Sequence, residues 1–523
     1  MLKNIIKNNK FIYSVLIVFS FSINTYYGNL GVFPIDTFAF FDTGYNILIG
    51  RHPFSDIWVS TGPVVDYIQA FFFKIFGLNW NSYIFHSSFI NSLIVVFFYK
   101  TLLRFELNNV YCFLYSILFS ILGYTISGTP FAYLHSYLFS LISILVLFMC
   151  IKFKSKFAFF FLPIVIFLAF FSMQNPATFF IIIISLLLIY FFFNFNFFGF
   201  IYLIYGVVLC LVLFLIYLTL TKVSILDIWQ QYFLFPLSIG EGRIEGSSIA
   251  HISLSGRMTI KNIFNHFKFI NFYIFSFLFF SIISFYKKKI SKEDLIINVA
   301  LILSGIFLIL NQLLTSNQTY IFSFILFIGA FFHAFLNKYF YINKWSNLFL
   351  IALAFFCTFK YHFEYNEKRK FMDLQNTDLK NYTEAYYLDN KLKNLKWINP
   401  KYPYSSNEEI KLLIEAKEFI KKDKSSKMVI THYQFFSLLL EENLNMPNRW
   451  YTDDNNSYPL SNHKYFLFYK KHLNKVIKEN NIENIYTIGN LPLKNFLIYF
   501  DDLCFKEKKI NKIFYFYIIN RCN

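Results

Sequence analysis

Phe131–Lys156 reads FAYLHSYLFSLISILVLFMCIKFKSK, an apolar run that stops at three alternating lysines, Lys152, Lys154 and Lys156. A helix of roughly 20 such residues crosses a bilayer, because all its backbone polar groups are paired within the helix. Lysines gathered at one end mark that end as cytoplasmic. Working outward, the same pattern recurs along the chain. Apolar spans are predicted at about 11–27, 83–103, 108–126, 130–151, 157–173, 177–195, 197–220, 265–286, 295–314, 319–337 and 345–362. Lys3, Lys7, Lys10, Lys100, Arg104, Lys287, Lys288, Lys289, Lys292, Lys338 and Lys344 fall in alternate loops, on the side of Lys152. About eleven spans then put the N-terminus inside and everything after Phe363 outside.

Composition supports the class. Of 523 residues, 56% are hydrophobic and 23% aromatic, and the mean hydropathy is +0.47. A soluble core does not bury that much apolar surface. The net charge of +18 suggests nucleic acid at first sight, but the lysines sit in short loops between apolar runs, where they set topology instead. No nucleic-acid partner is expected. Lys3, Lys7 and Lys10 flank the first span and no small-residue cleavage site follows, so an uncleaved first helix is expected.

Ten acidic residues precede position 363: Asp36, Asp42, Asp56, Asp66, Glu106, Asp227, Glu241, Glu245, Glu293 and Asp294. None falls in the middle of a span, which argues against an ion-coupled carrier. The first four lie in one outer loop. Within it, IDTFAFFDTGYNILIG (35–50) and GPVVDYIQAFFFKIFG (62–77) alternate polar and apolar residues at helical spacing and are too short to span. Two amphipathic interfacial helices are predicted, broken by Gly50, Pro53, Gly62 and Pro63. An acidic residue at the start of such a helix also has a capping reading, which applies to Asp36 and Asp42. Asp66 and Asp42 otherwise read as solvated.

This loop resembles that of the GT-C membrane glycosyltransferases, closest to the bacterial relatives of protein O-mannosyltransferases and of the aminoarabinose transferases of lipid A. The pattern here is Asp36, Gly50, Pro53, Phe54, Asp56, Gly62, Pro63, Phe76 and Gly77. The family usually has Asp-Glu at the first position and Pro-Pro later, where this chain has Asp36-Thr37 and Gly62-Pro63. The loop 221–262 and LTSNQTYIFSFIL (314–326) extend the likeness loosely. The resemblance implies an all-α polytopic membrane fold with transfer of a sugar from a polyprenyl-phosphate donor to a glycan, lipid or protein hydroxyl, on the non-cytoplasmic face of the plasma (inner) membrane, with inversion. One carboxylate then serves as base, and cations hold the departing phosphate.

Asp36 is the candidate base, with Asp56 second: it either orients the acceptor or caps its own turn. Arg243 and Arg257 are preferred for the phosphate because a guanidinium offers a forked donor pair, with Lys222 next. Lys261 shares their loop. His135 either touches substrate or is a polar group satisfied within the bundle. No metal site is identified, although a divalent cation on Asp36 and Asp56 stays open. The alternatives are a lipid-linked glycan flippase and a glycan polymerase or ligase. A flippase calls for charges along an internal groove, and a polymerase lacks an acidic motif after its first helix.

After residue 362 the composition turns polar, dividing the chain into a membrane part, 1–362, and a small extracytoplasmic α/β domain, 363–523. NEEIKLLIEAKEFIKK (407–422) is an amphipathic helix; KMVITH, IENIYTIG and KIFYFYIIN read as strands, with helices predicted at 469–481 and 493–503. Cys504 and Cys522, the two cysteines of this part, form the candidate disulfide. Cys112, Cys150, Cys210 and Cys357 fall in spans. PNRWY (447–451) reads as core rather than an acceptor contact.

Overall fold

A computed structural model describes residues 9–195, 197–247, 252–315, 321–400, 405–452, 455–489, 496, 498–500 and 503–521. Lys3, Lys7 and Cys522, most of the helix predicted at 493–503, and part of 314–326 lie outside the described residues. The protein is 68% helical. Among the described residues, eight helices are long and apolar enough to cross a membrane. In chain order they include α1 (Asn9–Gly28), α5 (Trp80–Arg104), α7 (Ala132–Phe153), α9 (Gln174–Asn194), α10 (Phe200–Thr221), α14 (Lys268–Tyr286), α15 (Lys292–Thr315) and α17 (Lys344–Tyr361). Three shorter apolar helices, α6 (Asn109–Leu122), α8 (Lys156–Ser172) and α16 (Phe324–Phe340), complete the bundle.

Helix α7, with its run of aliphatic and aromatic side chains, is buried from Ala132 through Ile151. It is the axis. Small polar residues let α1 and α5 approach each other: Ser20 Oγ donates to Ser92 Oγ at 2.9 Å, and Asn24 Nδ2 donates to Ser87 and Ser88 at 3.0 Å each. Such groups substitute for the hydrophobic driving force that is missing between helices in lipid. The lysines meet at one end of the bundle. Asp294 of α15 holds Lys152 of α7 at 2.9 Å, Tyr339 at 2.5 Å, and also Lys338 of α16.

The first loop occupies the opposite end. Its first predicted helix is two: α2 (Pro34–Thr37) and α3 (Phe41–Leu48), with a turn at Phe38–Phe40. Pro34 pre-sets the first turn of α2. The second, α4 (Val64–Phe76), matches the expectation, and its Phe71 and Ile75 are exposed. Helix α3 does not lie in lipid: Phe41 through Asn46 are all buried. Gly62 has a definite steric reason, since a Cβ there would sit 1.8 Å from the Phe171 carbonyl oxygen at the end of α8. The loop backbone approaches that helix as only glycine allows.

What covers α3 is the chain after residue 363. After a short antiparallel pair, β1 (Thr383–Glu384) with β2 (Lys396–Trp397), a four-stranded sheet runs in the order β3–β4–β6–β5, with β3 (Lys427–Thr431) and β4 (Asn484–Ile488) parallel and β6 (Phe514–Arg521) antiparallel to β4 and to β5 (Leu503–Lys509). Strand β5 was not anticipated. The alternation in β3 assigns its two faces: Val429 packs with Ile410, Leu413 and Ile420 of α18 (Ser406–Lys422), and Met428 and Ile430 pack with Leu473, Val476 and Ile477 of α20 (Phe466–Glu479). The core under α18 continues without a break into Val32, Phe38, Phe40 and Phe41 of the first loop.

Backbone and charge stitch the two together. Gly31 and Val32 donate to the carbonyls of Lys396 and Ile398 at 3.0 and 2.8 Å, and Trp58 donates to Pro447 at 2.7 Å. Arg449, the arginine of PNRWY, is fully buried and pairs with Asp66 of α4 at 2.5 Å. Its other Nη meets Thr61 Oγ1 at 2.5 Å, and the guanidinium stacks over Phe40 at 4.5 Å. Removing one partner of a buried pair leaves an uncompensated charge. Arg449→Met is therefore expected to destabilise the protein by about 3–5 kcal/mol. Adding Asp66→Asn should restore part of the apparent melting temperature, and additive losses in the double variant would contradict this.

Candidate active site

The four carboxylates of the first loop have different fates. Asp42 is fully buried and accepts from the amides of Leu438 at 2.8 Å and Ser437 at 3.1 Å, so it ties α3 to the short helix α19 (Phe436–Leu440). Burial pushes its carboxyl up to about 7 while the two amides pull it down. Asp66 is buried against Arg449, with Thr43 Oγ1 donating at 2.5 Å. The expectation that Asp42 and Asp66 are solvated is thus corrected, because the C-terminal part covers both. Asp56 accepts from the amide of His52 at 2.8 Å and from Ser55 Oγ at 2.7 Å. It closes its own turn, one of the two readings open to it.

Asp36 differs from all three. The residue preceding α2 is Phe33, and no side-chain cap is made there. Among the described residues, no hydrogen bond or ion pair engages the Asp36 carboxylate, so it caps nothing. The turn carrying it is nevertheless fixed. Phe33 N donates to Thr37 Oγ1 at 2.8 Å, Thr37 Oγ1 to Met372 Sδ at 3.2 Å, and Tyr83 Oη to the Thr37 carbonyl at 2.8 Å. Protein atoms crowd around Asp36, yet the residue keeps part of its surface open. That confinement raises its carboxyl to about 7, with the charge of Asp373 adding to the shift. A carboxyl poised near neutrality is what general-base chemistry requires.

Arg369 sets the neighbourhood. Its guanidinium, wholly buried, donates to the carbonyls of Leu30 at 3.1 Å, Thr125 at 3.2 Å, Ile126 at 3.1 Å and Ser127 at 2.8 Å. It joins the end of α1 and the loop between α6 and α7 to the segment bearing Met372 and Asp373. A lone arginine in a polar stretch gave no sign of this in the sequence, and neither did Asp373.

The predicted cations lie in the stretch between α10 and α14. Arg257 lies in the short helix α13 (Leu254–Arg257), buried, and donates to the carbonyls of Leu314 at 3.0 Å and of Arg243. The two preferred arginines are thus neighbours. Arg243, in α12 (Phe235–Glu245), is partly buried and reaches Asn456 Oδ1 at 3.4 Å. Lys222 is exposed at the end of α10, in a left-handed conformation. Lys261 begins a π-helical turn, Lys261–His266. His135 is fully buried, with Nδ1 2.6 Å from Tyr124 Oη and Nε2 2.8 Å from His86 Nε2; His86 Nδ1 in turn lies 2.9 Å from Gln69 Oε1 of α4. Its hydrogen bonds are satisfied within the bundle. Cys504 is disulfide-bonded, and the other member of the expected pair, Cys522, lies outside the described residues.

Among the described residues, no three His, Cys, Asp or Glu side chains group to hold a metal. Asp36 and Asp56 share no contact. The chain matches no model of a known protein family and none of the curated proteins.

A carboxyl raised from 3.8 to about 7 binds more protons folded than unfolded. Between those values folding stability falls as pH rises, and above about 7 the full cost of the confined charge is present. Asp36→Asn removes that cost. The variant is expected to melt above the parent at pH 8, by roughly a few degrees, and level with it near pH 4. A variant that melts below the parent at pH 8 would contradict the confinement of this charge.

Proposed function

We propose that the protein is a membrane glycosyltransferase that passes a sugar from a polyprenyl-phosphate donor to an acceptor hydroxyl, with Asp36 as general base. The observation that carries the reading is the contrast within the first loop: three carboxylates are spent on structure, and the one at the mouth of the first helix is left open and poised near neutrality. The resemblance to the GT-C enzymes assigns the base to that position.

In this reading the acceptor oxygen attacks the anomeric carbon while its proton passes to an Asp36 oxygen. The bond from that carbon to the phosphate oxygen breaks, and the phosphate leaves with the electron pair. The anomeric centre inverts. No general acid is needed because the leaving group is already a phosphate. Arg243 and Arg257, neighbours in the structure, are the candidates for holding it, because a guanidinium offers a forked donor pair. In this reading the three shorter apolar helices cross the membrane together with the eight long ones, giving about eleven spans among the described residues. The lysine-bearing end is then cytoplasmic, and Asp36 and the sheet lie in the extracytoplasmic space.

Asp36→Asn keeps size and hydrogen-bonding capacity but cannot take the proton. In membranes supplied with a polyprenyl-phosphate sugar, its turnover should fall by on the order of a hundredfold or more with donor binding retained. Parent turnover should rise with pH through about 7, as the carboxyl ionises, and level off above it. Near-normal transfer by a well-folded Asp36→Asn protein would remove Asp36 from the reaction.

A further inference from the structure

Helix α20 shows two opposite faces. Tyr469, His472, Leu473, Val476 and Ile477 are buried against the sheet. On the other side, at the same helical spacing, Leu467, Lys471, Lys475 and Lys478 are exposed. Among the described residues Glu479 approaches this row, at 4.0 Å from Lys475. The ordinary reading of such a face is solvation, and what lies beside it argues otherwise.

Asp227 lies within electrostatic reach of Lys475 and Lys471, whose charges counter the burial that raises its carboxyl. Asp227 belongs to the short helix α11 (Ile225–Ile228), directly after α10. Ile225 and Ile228 of that helix, with Trp229, roof an apolar cavity of about 630 Å³. Its walls are membrane helices: Phe167 and Phe171 of α8, Leu188 of α9, and Leu211 and Phe214 of α10. The volume is that of an ordinary ligand pocket, roughly 300–1,000 Å³. It faces lipid, because only 11% of the apolar window of α10 is buried within the protein. Exposed Ile225, Leu226 and Trp229 place α11 at the level of the headgroups, where tryptophan prefers to lie.

We infer that the α8–α10 wedge and the lysine row of α20 together form a site for one anionic phospholipid of the surrounding bilayer, an acyl chain in the wedge and the headgroup phosphate at Lys471 and Lys475. Charge selects the ligand, because basic side chains at headgroup depth favour anionic lipids over zwitterionic ones. The site is distinct from that of the proposed sugar donor: Asp36 and the side chains that fix its turn, Thr37, Tyr83 and Met372, take no part in lining the wedge. Its consequence is a lipid-dependent hold on the sheet, which α20 carries.

Native mass spectrometry of the full chain in detergent, titrated with phosphatidylglycerol, phosphatidylcholine or polyprenyl phosphate, tests this. The parent should retain one phosphatidylglycerol at roughly tenfold lower concentration than phosphatidylcholine. Lys471→Gln/Lys475→Gln should erase that preference without lowering the melting temperature. Val207→Trp, which fills the wedge from its lipid side, should weaken retention of both phospholipids. The inference is overturned if the parent shows no headgroup preference or if the preference survives in the lysine variant. It is also overturned if polyprenyl phosphate displaces phosphatidylglycerol at equal concentration, which would give the wedge to the sugar donor. Asp36→Asn should keep the lipid preference, so this site and the proposed base succeed or fail separately.

Discussion

The ion pair between Asp66 and Arg449 lies where no water reaches, and the arrangement of one whole end of the molecule depends on it. A buried pair of this kind contributes little net stability over well-packed apolar residues, but it is costly to separate. It therefore acts as a register. With Arg449 in place, the segment 447–449 lies beside Trp58, the Asp42 carboxylate meets the amides of α19, and the rings of Phe38 and Phe40 close the core beneath α18. The sheet is no tethered appendage, because its core and that of the first loop are one.

That clamp gives the loop its asymmetry. Covering α3 and α4 required Asp42 and Asp66 to be satisfied by partners, since neither keeps contact with water. Asp56 is satisfied locally by the turn it closes. Asp36 lies on a turn braced by Tyr83 and Met372 and, among the described residues, is offered no donor. A carboxylate held in place and left unsatisfied costs stability, and such costs concentrate where chemistry is done. Arg369 ties this neighbourhood together by binding four carbonyls from two segments.

Much of the membrane part was legible because its physics is one-dimensional. Span length and lysine asymmetry can be read along the chain, and Lys152, Asp294 and Lys338 do converge at one end. Helix α4, strands β3, β4 and β6, and helices α18 and α20 followed from periodicity for the same reason. Three features resisted. The break between α2 and α3 falls inside an amphipathic pattern and carries no glycine or proline. The partner of Asp66 lies 383 residues away, and burial imposed by a distant segment leaves no trace in local spacing. Strand β5, LCFKEKK, alternates too few apolar residues to announce itself, and it is pairing with β6 that makes it a strand.

The Asp36 carboxylate is confined and, among the described residues, unpaired, which sets it to exchange a proton near neutrality. Carbon-13 NMR of the protein in nanodiscs, with label at the aspartate side-chain carboxyl, measures this without any substrate. The resonance missing from the Asp36→Asn spectrum should shift with pH around a midpoint of about 7. A midpoint for that resonance in the ordinary range of a solvated aspartate, about 4, would contradict the account.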